Sequence, residues 1–150
     1  MANKQLIIDA KYSNEFKVLG LIQCISHEIE ANQARLLKPF GISSTQLSIV
    51  HTLDLHSADY MTVNEIKDQM VDDSPNVSRS LKQLEDKQFI EKTRDIDDKR
   101  QVLISINKEG LALLKEIDKN LSDQKKMERL SVQELESLHR ILDKIGGKNG

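Results

Sequence analysis

Residues 74–100 have the sequence SPNVSRSLKQLEDKQFIEKTRDIDDKR, and the pattern of apolar residues changes partway along it. Val77, Leu81 and Leu84 recur at the three-to-four spacing of a helix. Beyond Gln88 the apolar residues alternate with polar ones, which is typical of strands with one buried face. A helix that passes directly into a β-hairpin is therefore predicted, and the other elements are placed around it.

The predicted hairpin has a strand on each side of a charged tip. Gln101–Ile106 alternates as a half-buried strand does, and Ile90–Arg94 is its predicted partner. The residues between them, 95–100, are polar and rich in turn formers. A hairpin that directly follows a helix-turn-helix is a wing.

A helix-turn-helix is predicted immediately before this hairpin. Thr62 and Glu65 have the spacing of a capping box, in which each side chain bonds the backbone N–H of the other residue, and a short helix follows. Ser74 is the expected N-cap of the next helix, and Pro75 takes its first position, where the missing N–H costs nothing. This second helix is predicted over 74–88.

Further helices flank the helix-turn-helix on its N-terminal side. Apolar residues at helical spacing predict a long helix over 16–37, which Pro39 and Gly41 interrupt. Ser43 and Gln46 form a second capping-box pattern that begins another helix.

Two helices are predicted on the C-terminal side. Asn107 is the expected N-cap of a helix that continues towards Met127. Ser131 and Glu134 form a third capping box, which opens a last helix closed by the glycines 146–147.

Composition restricts the function classes. The chain has 150 residues, a formal charge of -2, 38% hydrophobic residues and few aromatic ones. This is about one domain, with an apolar content that suggests an elongated helical shape or a core shared with a second chain. So few aromatic residues argue against a surface that stacks single-stranded bases. Cys24 is the sole cysteine, so no intrachain disulfide can form. The apolar runs are too short for a membrane span, and a cytoplasmic location is expected.

The polar face of the helix over 74–88 carries groups that suit a nucleic acid. Its outward residues hydrogen-bond phosphates and base edges, and the helix N-terminus favours a phosphate. These outward residues are Pro75, Asn76, Arg79, Lys82 and Gln83, with Ser78 on the flank, and Ser74 at the helix N-terminus is a candidate DNA contact as well. Because any amphipathic helix has a polar face, this feature alone divides about evenly between a DNA contact and a solvated surface.

The wing favours the DNA contact. Arg100 adjoins the hairpin tip, where an arginine can enter the minor groove. We expect Asp98 to hold Arg100 or the turn backbone by a charge-assisted hydrogen bond. Lys99 and Arg94 are candidate phosphate contacts. The alternative is that they are charges of the hairpin that face only solvent, and for Lys99 this alternative is slightly preferred.

The stretch 74–87, continued by 89–92 and 94–100, closely resembles the winged helix of MarR-type transcription regulators in residue order and spacing. The similarity extends through 107–110 into the C-terminal helices and more loosely back to 16–37. The resemblance implies a homodimer formed by the N- and C-terminal helices, double-stranded DNA bound by two winged domains, and commonly a pocket for a small-molecule effector where these parts meet. Many relatives have glycine where this sequence has Gln88, so the end of the recognition helix is expected to be strained or different.

The predicted fold class is mainly α with a small β-hairpin wing (α+β): a winged helix-turn-helix with N- and C-terminal dimerisation helices. Residues 1–150 are expected to form a single unit, with the DNA-binding region at 42–107 and the dimerisation helices at 10–41 and 108–147. The expected function is a sequence-specific regulator, a repressor in the preferred interpretation, that binds a pseudo-palindromic operator. The alternative is a winged-helix module that binds another protein instead of DNA.

Catalytic and cofactor-binding functions have no support in the sequence. It contains no phosphate-binding glycine loop, no nucleophile elbow and no metalloprotease motif. His51 and His56 are five residues apart, which does not stack them as metal ligands on one helix face. Cys24 has no basic or cysteine neighbour in sequence that would make it reactive, so a small buried apolar residue is the favoured interpretation over an oxidant sensor. No enzyme, cofactor or metal is therefore predicted.

Overall fold

A computed structural model describes residues 4–56, 60–70, 76–96, 98, 100–120 and 127–146. The fold is mainly helical, with one small antiparallel sheet. In chain order the elements are α1 (Lys4–Asp9), α2 (Asn14–Leu37), a 3-10 turn (Lys38–Phe40), α3 (Ser44–Leu55), β1 (Met61–Thr62), α4 (Val63–Gln69), α5 (Val77–Asp86), β2 (Ile90–Arg94), β3 (Val102–Ile106), α6 (Lys108–Lys119) and α7 (Val132–Gly146).

The sheet has three strands in the order β1-β3-β2, all antiparallel. The predicted hairpin is present: Ile90 pairs with Ile106 and Arg94 with Val102. Strand β1 was not predicted, because two residues are too few to show a period; it places Met61 opposite Ile104. The strand expected from Gln101 begins one residue later, because the Gln101 N–H bonds the Asp98 carbonyl at 2.8 Å inside the turn.

The predicted capping boxes form as local sequence patterns should. At the start of α3, the Ser43 N–H donates to the Gln46 side chain at 2.9 Å and the Gln46 N–H donates to the Ser43 hydroxyl at 3.2 Å. The box at Thr62 closes in the same way at α4, and the box at Ser131 closes at α7. Each box satisfies helix N–H groups that have no partner within the helix.

Two helix ends differ from their predictions. Helix α5 begins at Val77 instead of Pro75, with Asn76 as N-cap, because the backbone of Asn76 is not helical and its carbonyl accepts the first helical bond, from Ser80 at 2.8 Å. Helix α6 does not continue to Met127. It ends at Lys119, where the Asn120 side chain donates to the Glu116 carbonyl at 2.9 Å and so replaces a helical bond. The expected N-cap Ser74 and the expected first helical residue Pro75 lie outside the described residues, as does Gly147.

The end of α5 explains how Gln88 replaces a glycine. Gln88 adopts a left-handed backbone with φ of 61°. Its N–H bonds the Glu85 carbonyl at 2.8 Å, and the Phe89 N–H bonds the Leu84 carbonyl at 3.0 Å, which is the Schellman pattern. The Asn107 side chain donates to the Gln88 carbonyl at 2.7 Å. The ordinary helix ending is therefore kept, at the cost of a conformation that residues with a Cβ disfavour.

The chain divides into two compact units, one of residues 33–120 and one of residues 1–32 with 121–150. The first is wider than the 42–107 region assigned from sequence, since it includes the end of α2 and all of α6. Every buried apolar residue among the described positions lies in it, between Leu37 and Ile117. Helices α3, α4, α5 and α6 and the sheet contribute to this core.

In the other unit, apolar residues remain exposed. Helix α1 packs on α2, where Ile7 meets Gly20, and the Lys17 ammonium bonds the Ile8 carbonyl at 2.8 Å. Helices α1 and α7 contain no buried residue, and α2 buries only Leu37, which belongs to the other unit. The large exposed apolar residues of α2 and α7 are Phe16, Val18, Leu19, Ile22, Ile25, Val132, Leu135, Leu138, Ile141, Leu142 and Ile145.

Candidate nucleic-acid interface

Helix α5 has one buried and one exposed face, as its sequence predicts. Val77, Leu81 and Leu84 are at most 1% exposed and hold the helix on the core. Arg79 and Lys82 are exposed on the other side. Asn76 and Ser78 are exposed as well, next to the start of the helix. The predicted outward set is therefore presented to solvent wherever the structure describes it; Ser74 and Pro75 are outside that part.

The cations near this face fall into two groups. Lys87 bonds the Gly41 carbonyl, and Lys92 forms an ion pair with Glu85 at 2.5 Å, so both have intramolecular partners. Within the described part of the chain, no hydrogen bond or ion pair engages the side chains of Arg79, Lys82 or Arg100. These are three of the cations that the sequence nominated, and their charges are available to an anionic ligand.

Gln83 has a more defined setting than the sequence suggested. It is exposed, but its side-chain oxygen accepts a hydrogen bond of 2.7 Å from the amide nitrogen of Gln46. Gln46 is 3% exposed and belongs to the capping box of α3. The sequence revealed Gln46 only as a cap, because its second bond joins residues 37 positions apart.

The wing tip is organised by carboxylates. The Asp98 side chain accepts the backbone N–H of Arg100 at 3.0 Å, which is the turn-holding role predicted for it. The Asp95 side chain accepts the N–H of Asp98 at 3.2 Å. Arg94 is exposed at the end of β2, while Lys99 lies outside the described residues. Ile96 is 92% exposed at the tip.

Arg100 also lies beside the helix-turn-helix. An open groove is lined by Arg100, Gln101 and Val102 from the wing and by Thr62, Val63 and Asn64 from the start of α4.

Two hydrogen bonds from Thr62, the first from its N–H and the second from its hydroxyl, hold the pKa of Glu65 below its usual range. Glu65 therefore stays ionised near neutral pH and closes the cap of α4.

Two other kinds of site are absent from the described residues. No group of three or more His, Cys, Asp or Glu side chains is placed to hold a metal ion there. None of the helices in that part combines the length and apolar character that a bilayer span requires.

Comparison with known proteins gives a family match. Residues 33–117 match the model of a family described as transcriptional regulator SarA/Rot. A relative from Bacillus subtilis (strain 168), an uncharacterized HTH-type transcriptional regulator called YwoH, is 33% identical over 82 residues, which are 55% of this chain and 58% of that protein. The chain therefore matches somewhat more than half the length of this relative.

Solved structures share the fold over nearly their whole length. A point variant of MepR from S. aureus, bound to an oligodeoxyribonucleotide, is 26% identical with a TM-score of 0.59, and the match covers 90% of this chain and 96% of that one. A point variant of MarR from E. coli, complexed with operator DNA, has a TM-score of 0.72 at 23% identity, over 91% of this chain and 99% of that one. The latter similarity concerns the fold alone.

Proposed function

Because the chain belongs to the SarA/Rot family of transcriptional regulators and has a winged helix-turn-helix of the MarR type, we propose that it binds double-stranded DNA with α5 in the major groove and the wing tip in the minor groove. The chain is a regulator and not an enzyme. One observation carries the proposal: Arg79 and Lys82 on α5 and Arg100 on the wing are cationic, exposed and unpaired among the described residues. The DNA-bound state of the similar MepR structure supports it.

The residues divide by proposed task. Arg79 suits a base contact, because a guanidinium can bind guanine O6 and N7 together. Arg100 suits a narrow minor groove, where the negative potential attracts arginine. Lys82 suits a phosphate. The remaining proposed contacts are Ser74, Pro75, Asn76, Ser78, Gln83, Arg94 and Lys99, with Asp98 positioning the backbone of Arg100.

The chain's formal charge of -2 does not oppose this proposal. Net charge governs non-specific attraction, whereas a specific complex depends on where the cations stand. Residues 41–73 carry one lysine against six acidic residues, and residues 74–100 carry seven basic residues against six acidic ones. The proposed contact surface is thus the less acidic part of the helix-turn-helix.

We propose a homodimer formed by the helices that flank the winged region. The support is the exposed apolar surface of α2 and α7, since side chains such as Leu138 and Ile22 gain free energy when a second copy covers them. A two-fold dimer presents two recognition helices to half-sites about 34–36 Å apart, so a pseudo-palindromic operator is expected. Repression by occupancy of that operator is the proposed regulatory outcome, in the cytoplasm.

A small-molecule effector is also proposed. Such a ligand can release DNA only if it binds one spacing of the two winged domains more tightly than the other, because equal affinity for both states shifts nothing. The competing function, a winged helix that binds a protein, is disfavoured by the exposed face of α5, whose members Arg79, Lys82 and Gln83 are polar.

The deciding experiment is selection of bound duplexes from a random pool at fixed low salt. A two-fold-symmetric motif is expected, and failure to enrich any duplex would refute the proposal.

Arg79→Ala should then weaken binding to the selected duplex by about 1–3 kcal/mol. Arg140→Ala, which removes the same charge from the exposed surface of α7, is the matched control and should bind like the wild type.

The salt dependence separates a phosphate contact from a base contact. Lys82→Ala should reduce the slope of log affinity against log salt by about one unit without altering sequence preference. A gel-shift titration at several salt concentrations measures the slope. An unchanged slope would remove Lys82 from the contact surface.

A further inference from the structure

The Gln46–Gln83 pair joins the buried start of α3 to the exposed face of α5. Gln46 Nε2 donates to Gln83 Oε1 at 2.7 Å, and the Gln46 Oε1 atom accepts the backbone N–H of Ser43 at 2.9 Å. Gln46 is 3% exposed, whereas Gln83 is exposed. One end of the pair is therefore fixed in the protein and the other end faces outward.

The direction of this chain of hydrogen bonds follows from chemistry. A backbone N–H can only donate, so the atom of Gln46 that faces Ser43 must be its oxygen. The nitrogen of Gln46 is then the atom that faces Gln83, and it can only donate. Gln83 must answer with its oxygen, which leaves its NH₂ group for whatever lies outside. The cap of a helix thus sets which half of an exposed amide is presented.

The orientation matters for reading DNA. A freely rotating glutamine can accept from N6 and donate to N7 of adenine at once. A glutamine whose oxygen is already engaged presents donors and favours acceptors: guanine O6 and N7, thymine O4, or a phosphate oxygen. Cytosine presents a donor in the major groove and is disfavoured by such a group.

We propose that Gln46 is a positioning residue that fixes Gln83 as a hydrogen-bond donor toward an acceptor on the DNA duplex. This inference rests on the proposed function and deepens it. The acceptor is either on a base edge or on a phosphate, and the two sources are separated by whether the effect depends on sequence. Gln46 itself does not touch the duplex; it acts through Gln83.

The test is the substitution Gln46→Glu. Glutamate keeps the capping box, because Glu and Gln both serve at this position of the box. One carboxylate oxygen still accepts the Ser43 N–H, and the other now faces Gln83 as an acceptor. Gln83 must then turn its NH₂ group inward and present its oxygen to the duplex. The variant therefore reverses the outward group without changing the outward residue.

Affinities are measured at pH 8, so that the introduced carboxylate is ionised, against the selected duplex and a panel with each base pair under α5 replaced. The variants are Gln46→Glu, Gln83→Met and the double variant. Gln88→Glu is the matched control: it adds the same charge just beyond the end of α5, at a residue that does not line the open cleft shared by Gln46 and Gln83. Thermal unfolding checks that each variant folds.

Coupling between the two positions is the expected result. The effects of Gln46→Glu and Gln83→Met on affinity should depart from multiplicative behaviour by on the order of threefold or more. If the acceptor is on a base, Gln46→Glu should also lower the preference for guanine or thymine at one position by about tenfold, and Gln88→Glu should not. If it is a phosphate, coupling should be equal for every duplex. Either pattern supports the proposal, and the panel identifies the source.

Independent effects of the two substitutions, with wild-type binding intact, would overturn this inference alone. A wild-type chain that binds no duplex would refute the proposed function as well, so the two failures are distinguishable. If Gln46→Glu does not fold, Gln83→Met decides on its own. A preference for guanine or thymine, or binding to all duplexes, that is lost with Gln83 supports the proposal; loss of a cytosine preference, or no change, overturns it.

Discussion

The two compact units use similar amphipathic helices in different ways. In residues 33–120, the apolar faces of α3, α5 and α6 are buried, and Leu84, Ile104 and Ile117 are fully buried. In the other unit the apolar face of α7 is open, with Leu138 37% and Ile141 52% exposed. The first unit buries its own apolar core. The second exposes an apolar surface whose burial against another surface would lower the free energy.

This difference shows what helical periodicity can and cannot determine. The spacing in α5 and the spacing in α7 both predict one apolar face, and both helices have one. Periodicity does not specify what the face packs against, because that depends on chain segments far away or on a second molecule. The proposed homodimer assigns a second copy of the chain to the open face.

The substitution Leu138→Glu on α7 tests whether the exposed apolar face of this helix is an interface. If the open face is a dimer interface, a carboxylate at its centre must be buried without a partner, and the dimer should dissociate. Binding to a two-half-site operator should fall on the order of a hundredfold or more, because two linked sites bind far more tightly than one. Sedimentation and gel-shift titration measure the two effects.

The control for this prediction is Gln133→Glu on the polar side of the same helix. It also introduces a carboxylate, and it should leave both assembly and affinity unchanged. A Leu138→Glu protein that stays dimeric with normal affinity would contradict the assignment of this face.

The second test compares truncations in the two units. Ile104 is fully buried in the central strand, so Ile104→Ala should reduce the free energy of unfolding by about 2–5 kcal/mol at every protein concentration. Ile141→Ala should have a smaller effect, and one that depends on protein concentration if a second copy covers this side chain. Denaturant unfolding at two concentrations measures both. If both substitutions reduced the free energy of unfolding equally and independently of protein concentration, the proposed difference between the two units would be wrong.

The predictable features of the molecule were the local ones. The capping boxes at Ser43, Thr62 and Ser131 each involve residues three positions apart, so the sequence alone indicates them. The hairpin strands and the inner face of α5 follow from short-range periodicity in the same way. The turn role of Asp98 is local as well, since its partner Arg100 is two residues away.

The features that sequence reasoning missed depend on distant partners or on very short segments. Strand β1 forms because Met61 pairs with Ile104, which is distant in sequence. Two residues are too few to show an alternation of apolar and polar side chains. The bond between Gln46 and Gln83 joins residues far apart in sequence. Helix α1 was not predicted, because six residues show less than two turns of any pattern. The end of α6 at Asn120 was missed because Leu121 continues the apolar spacing.

A third test concerns the junction between the end of α5 and the start of α6, both in residues 33–120. The Asn107 side chain accepts the Gly110 N–H at 2.9 Å as the cap of α6 and donates to the Gln88 carbonyl at the end of α5. Asn107→Ala should therefore cost about 1–2 kcal/mol, the upper range for loss of a cap. Ser131→Ala removes a cap in the other unit and should cost less, because among the described residues the Ser131 side chain bonds Glu134 alone. Denaturant unfolding compares the two, and equal losses would contradict this reasoning.

The fourth test concerns Gln88, on the α5 side of the same junction. Gln88→Gly should stabilise the protein by about 0.5–1 kcal/mol, because glycine adopts a φ of 61° without the Cβ penalty, although it gains more freedom in the unfolded chain. The expected result is a higher unfolding midpoint at unchanged slope. Gln101→Gly, at a position where φ is not positive, is the control and should be neutral or destabilising. A lower midpoint for Gln88→Gly would mean that the left-handed residue is not strained.

The last prediction concerns the pH dependence of a capping box in each unit. Two hydrogen bonds from Thr62 lower the pKa of Glu65, and two from Ser131 lower the pKa of Glu134; in each case the backbone N–H contributes more than the hydroxyl. A carboxylate with a lowered pKa in the folded state stabilises the fold above its unfolded pKa, about 4.3, and this stabilisation is lost as the pH falls through the folded value.

Amide hydrogen exchange between pH 6 and pH 3 should therefore show that the first turns of both α4 and α7 become less protected. Glu65→Gln should remove this pH dependence from α4 only, and Glu134→Gln should remove it from α7 only. Because a capping box needs only four consecutive residues, it should respond to acid equally in a closed unit and an open one. A response confined to α7 would mean that exposure of the apolar face, and not the cap, controls how that helix begins.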